Sequence, residues 1–66
     1  MSAAPTVLTA REREILVLAA EGRTNRSIAH VLELSPRTVA KHLEHAYRKL
    51  DVNCRMRAVA MIPPQR

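Results

Sequence analysis

Between Thr9 and Ile62 the apolar residues fall into four clusters, each with the spacing of a helix rather than the alternation of a strand. In the first, Ile15, Leu18 and Ala19 share one side of a helix that begins at the capping-box pattern Thr9-Ala10-Arg11-Glu12 and runs to about Glu21. Gly22 then suits the left-handed position that ends a helix. The second cluster, Ile28, Ala29 and Leu32, lies on a short helix from Asn25 to Leu32 capped by Thr24, and the small Ala29 lets a neighbour come close. Glu33-Leu34-Ser35 makes a tight turn with Leu34 inward. Glu33 stands where such turns favour left-handed backbone, a strained place for a residue with a Cβ.

The third cluster belongs to SPRTVAKHLEHAYRKL, residues 35–50, in which Ser35 caps and Pro36 suits the first turn. At about 100° per residue, Val39, Leu43, Ala46 and Leu50 occupy one arc of roughly 60°, and Arg37, Lys41, Glu44 and Arg48 another on the far side. One side is core and the other is bare and mostly cationic. Asp51 and Val52 leave this helix, and Asn53 caps a fourth, Cys54 to about Met61, with Ala58, Val59 and Ile62 inward. Pro63-Pro64 forbids its continuation. The pattern predicts an all-α fold, a four-helix bundle containing a helix-turn-helix. Residues 1–8, aperiodic with Ser, Ala, Ala and Pro, read as a flexible leader or linker end, 9–62 as the domain and 63–66 as a C-terminal tail.

Composition narrows the function. Sixty-six residues allow one small domain, stable by only a few kcal/mol, with no room for an enclosed active site and its scaffold. Tyr47 is the sole aromatic residue, so the core is aliphatic and alanine-rich, which favours closely packed helices. Cys54 has no cysteine to pair with, and the chain carries neither a signal-peptide run nor a bilayer-spanning stretch, so a reducing cytoplasm and no membrane partner are expected. The net charge of +5 is unevenly placed: residues 1–22 sum to −1, whereas Arg23 to Arg66 hold nine bases against Glu33, Glu44 and Asp51, or +6. A polyanion is the natural partner of that half, because neutralising phosphates releases counterions. A surplus of arginine kept for solubility is the plainer alternative. The cationic side of the third helix decides for a face presented to DNA.

Leu8-Thr9-x-Arg11-Glu12-x-Glu14-Ile15-Leu16, Gly22-x-Thr24-Asn25, Ile28-Ala29, Ser35-x-x-Thr38-Val39 and Lys49-Leu50-x-Val52-x-x-Arg55 together closely resemble the LuxR/GerE-type (NarL/FixJ-like) DNA-binding domain. The resemblance covers Leu8 to about Val59. It implies a four-helix domain of a bacterial transcriptional regulator that binds double-stranded DNA, its third helix entering the major groove and its fourth mediating dimerisation, with a cytoplasmic, nucleoid-associated location. Ala40, Lys41 and Glu44 hold the positions nearest base edges. Where the family commonly has Lys or Arg after Thr-Val, this chain has Ala40, and the charge moves to Lys41. Ala40 offers a methyl, for example to a thymine methyl, and Lys41 a donor for guanine O6 and N7. Glu44 either accepts from cytosine N4 or pairs with Arg48 or Lys41 along the helix.

Arg37, Thr38, His45, Arg48 and Lys49 are placed to reach phosphates, which fixes register without reading sequence. Asn25 and Arg26 join them at the start of the second helix, where the amide dipole favours an anion. For Asn25 a bracing hydrogen bond after Gly22 is an equal reading, and Ser35 and Thr38 also serve as caps. Met56 or Ala60 faces a partner copy, but Pro63 shortens the fourth helix, so the expected homodimer is weak and forms on DNA, with half-sites about one helical turn apart.

RNA polymerase and an N-terminal regulatory domain not present in this chain are the other expected partners. Cofactors are not expected: His42, His45 and Cys54 fall short of a closed zinc site, and neither a nucleophile–base constellation nor a glycine-rich phosphate loop points to an enzyme. The rival readings are the promoter-reading region of a sigma factor, which shares the Ile-Ala and Thr-Val pieces, and a cationic helical module that docks on a protein. The Gly22-x-Thr24-Asn25 joint and the short fourth helix favour the LuxR type.

Overall fold

In the computed structural model, which describes residues 8–61, four helices follow one another: α1 (Ala10–Ala20), α2 (Asn25–Leu32), α3 (Pro36–Leu50) and α4 (Arg55–Ala60). There is no strand among the described residues, and the all-α fold with its helix-turn-helix is as the pattern predicts. The leader up to Val7, the tail and the inward placement of Ile62 lie outside the described residues.

Local chemistry accounts for where the first three helices begin. The Thr9 hydroxyl accepts from the Glu12 amide at 3.0 Å while Glu12 Oε1 accepts from the Thr9 amide at 2.9 Å, so two donors at the helix start are satisfied reciprocally. Thr24 accepts from the Ser27 amide at 3.1 Å, and Ser35 accepts from the Thr38 amide at 3.1 Å ahead of Pro36. The fourth start differs from the expectation. Cys54, not Asn53, is the capping position, and it makes no side-chain cap hydrogen bond. The first turn is closed by backbone alone, with the Ala58 amide on the Cys54 carbonyl at 3.2 Å.

Three helices end in one motif. After α1, the Gly22 and Arg23 amides donate back to Ala19 and Leu18; after α2, Glu33 and Leu34 donate to His30 and Ala29; after α3, Asp51 and Val52 donate to Arg48 and Tyr47. Each pair is a Schellman closure, which needs left-handed backbone at its first residue. Gly22 (φ 89°) adopts that freely, whereas Glu33 (φ 58°) and Asp51 (φ 59°) adopt it with a Cβ. The strain at Glu33 was legible in the turn pattern, but that at Asp51 was not. Replacing Glu33 by glycine should therefore stabilise the domain by up to about 1 kcal/mol, read as a higher urea midpoint with an unchanged slope. A lower midpoint would show that the turn depends on the glutamate itself.

The core is Ile15, Leu16, Ala19, Ile28, Ala29, Val39, Leu43, Ala46 and Ala58. Leu16 is fully buried although the stripe of Ile15, Leu18 and Ala19 passes it by, and Leu18 is only half-buried against that cluster. Helix α1 packs on α2, α3 and α4, and its buried residues Glu12, Ile15, Leu16 and Ala19 are spaced i, i+3, i+4, i+7 on one side, a stripe that the charged Glu12 disguises in the sequence. Helix α3 likewise packs on all three others, which fixes its apolar arc inward and leaves its opposite side bare.

Candidate nucleic-acid interface

The outward side of α3 carries Arg37, Ala40, Lys41, Glu44 and Arg48, all exposed, with His45 beside them. Among the described residues no ion pair ties Arg26, Arg37, Lys41 or Arg48 to an acid, in contrast to Arg11 with Glu14 and Arg23 with Glu21, each at 3.3 Å. Glu44 also has no ion-pair partner among the described residues, so the bracing with Arg48 or Lys41 weighed from the sequence is not made. Arg13 and Arg57 also lack an ion pair among the described residues, but only on α3 do three such cations, Arg37, Lys41 and Arg48, share one side, with Arg26 at the start of α2.

Two residues assigned to phosphates are engaged inside the domain. Lys49 Nζ lies 2.7 Å from Glu12 Oε1, joining the end of α3 to the start of α1. Glu12 is buried, and a carboxylate withdrawn from water requires a cation or donors in exchange. Burial pushes its carboxyl upward, but the Lys49 ammonium and the Thr9 amide and hydroxyl outweigh it and hold the group below the usual glutamate range. Lys49 therefore braces the end of α3 against the start of α1. Asn25 is the second case. Its Oδ1 accepts from Arg55 Nη2 at 2.9 Å, and the same guanidinium nitrogen lies 3.4 Å from the Arg23 carbonyl, tying the starts of α2 and α4. Of the two readings of Asn25, the bracing bond is the one formed.

Thr38 accepts a hydrogen bond at 2.9 Å from the Ser35 hydroxyl, at the first turn of α3. Met56 is 77% exposed, and Ala60 and Met61 are also exposed on the outside of α4. Among the described residues no group of three or more His, Cys, Asp or Glu is placed to hold a metal ion, and no helix is long and apolar enough to cross a membrane.

The reading of single positions missed Tyr47. It lines a shallow depression on the outward side of α3 together with Arg37, Ala40, Lys41 and Glu44. The signal was present in its spacing, seven residues from Ala40 and three from Glu44, which puts it on the same flank.

A short helix, a tight turn and a longer helix with one bare, cationic side define a helix-turn-helix domain. The family model described as "Bacterial regulatory proteins, luxR family" matches residues 6–62. The chain belongs to that family, one of DNA-binding transcriptional regulators and not of enzymes. Among its relatives are the nitrate/nitrite response regulator proteins NarP and NarL of Escherichia coli K12, 41% identical over 92% of this chain and 37% identical over 89% of it. The uncharacterized response regulatory protein YgeK of the same organism is 52% identical over 70% of the chain. These alignments cover 28%, 27% and 31% of the three relatives, so the chain spans less than a third of the proteins it matches.

Proposed function

We propose that this chain binds double-stranded DNA sequence-specifically for a bacterial transcriptional regulator, inserting α3 into the major groove. The observation that carries this reading is the bare side of α3, where Arg37, Lys41 and Arg48 pair with no acid among the described residues while the opposite side anchors the bundle. Ala40, Lys41 and Glu44 face the bases. Arg26, Arg37, Thr38, His45 and Arg48 hold the phosphates, with Asn25 and Lys49 bracing the helices behind them. In this reading residues 9–62 are the DNA-binding domain, 1–8 a leader or linker end and 63–66 a tail.

Pairing is weak and occurs on DNA, through Met56 and Ala60 on a helix of only six residues. Two half-sites about one turn apart then let both copies of α3 enter successive major grooves. The relatives named as response regulators are more than three times the length their alignments cover, which supports an N-terminal regulatory domain as a further partner, with RNA polymerase as the other. Location in the bacterial cytoplasm, at the nucleoid, follows from that role.

The test is the salt dependence of binding to labelled duplexes. Contacts from Arg26, Arg37 and Arg48 give a log–log slope of about −3 per bound chain, since each neutralised phosphate contributes about −0.9. Affinity that does not change with salt would refute the reading and favour a module that docks on protein.

A further inference from the structure

Resting on that DNA-binding reading, we infer that the depression lined by Ala40 and Tyr47 is a receptor for the C5-methyl group of a thymine. The site therefore identifies one T·A pair by shape beside whatever it reads by hydrogen bonds. The major-groove edge of DNA displays one apolar group large enough to fill a hollow, the thymine methyl, where cytosine has only a hydrogen on C5 and the remaining features are mainly donors and acceptors. An apolar hollow on a side otherwise made of charged groups matches that one feature.

The lining supports the assignment residue by residue. Ala40 is exposed and ends at its methyl, so it makes a floor and leaves space above it. Tyr47 is half-buried and packs against the core, which holds its ring as a fixed wall. Side chains on a helix lean toward its N-terminus, so the ring reaches back over the preceding turns toward Glu44 and Ala40. The exposed lining is mostly hydrocarbon, to which the stems of Arg37 and Lys41 contribute. Lys41, adjacent to Ala40, supplies at the rim a donor for O4, the acceptor beside the methyl on the same base edge. Glu44 stands at the rim as well, and an anion there disfavours a second acceptor on the neighbouring base. Thymine fits this arrangement through both its methyl and its O4; cytosine supplies neither.

The experiment uses a duplex selected by the whole chain from a random pool, with each thymine replaced in turn by deoxyuridine, which removes only the methyl. At one thymine in each half-site the affinity should fall about fourfold, the equivalent of about 0.8 kcal/mol for one methyl returned to water. Ala40→Lys fills the hollow, and Ala40→Gly removes its floor. Either variant, still helical by circular dichroism, should bind the thymine and deoxyuridine duplexes within twofold of each other. A selected duplex that tolerates deoxyuridine everywhere would overturn the receptor and leave DNA reading standing, as would a methyl preference that survives both substitutions. Equal affinity for 5-methylcytosine at that position would overturn the assignment to thymine, because the methyl would then be read with Glu44 as acceptor. If no duplex is selected at all, it is the DNA-binding reading that fails.

Discussion

Truncation of Lys49 to alanine should cost the domain about 2 kcal/mol of folding stability at neutral pH. Glu12 is 4% exposed, and its Oε1 receives both the Lys49 ammonium and the Thr9 amide. Removing one partner of a fully buried pair costs about 3–5 kcal/mol, because the remaining charge has neither water nor counterion. The Lys49 side chain keeps 31% of its surface exposed, so water screens part of the interaction and the lower figure applies. In a chain this small that is a large share of the total. Urea denaturation of Lys49→Ala and Lys49→Met measures it, and the methionine variant, which retains the stem, should lose nearly as much. A loss below about 0.5 kcal/mol in both would show that the ammonium contributes no more than a typical surface charge.

Acid should abolish the difference. In the folded domain Glu12 titrates below the ordinary glutamate value of about 4.3, so its contribution is fully present above that pH and is lost as pH falls through the lower folded value. Without Lys49 only the Thr9 donors oppose the upward push of burial, so the variant has less to lose when Glu12 is protonated. The gap between the wild-type chain and Lys49→Ala should therefore close below about pH 4. A gap that stays constant down to pH 3 would place the stabilisation in packing of the lysine stem.

The second large effect belongs to binding. Lys41→Ala should lower affinity for a selected duplex by about 1–3 kcal/mol if the ammonium donates to a base edge, and should leave folding stability within about 0.5 kcal/mol, since Lys41 is exposed and has no ion pair among the described residues. On random duplexes the same substitution should cost far less. Fluorescence anisotropy on both substrates separates the cases. Equal losses would assign Lys41 to a phosphate and leave base reading to Glu44 and the hollow beside Ala40.

Much of this architecture is legible in local chemistry. The bounds of α2 and α3 follow from Thr24, Ser35 and Pro36 at their starts and from the change in periodicity at their ends. What escaped the pattern were relations across the chain. Glu12 and Lys49 are 37 residues apart, Asn25 and Arg55 are 30 apart, and no local spacing announces either bond. Lys49 looks like an exposed polar residue on a helix flank and Asn25 admits bracing or phosphate contact equally, and only the neighbouring helices supply the partners that make both of them braces. Leu16 escaped for a similar reason, because the stripe it belongs to, Glu12, Ile15, Leu16 and Ala19, begins at a charged residue whose burial depends on Lys49.

The sequence by itself determined that four helices form, that the third has one apolar and one cationic side, and that the family is LuxR-like, because capping, periodicity and charge sign act over a few residues. Only the tertiary structure decided which cations remain available on the outward face and which are consumed in holding helices together. It also decided that Ala40 and Tyr47 share a hollow. Burial and pairing are properties of helices brought side by side, and the approach of α1 and α4 to the ends of α3 and α2 leaves some charges committed and others bare.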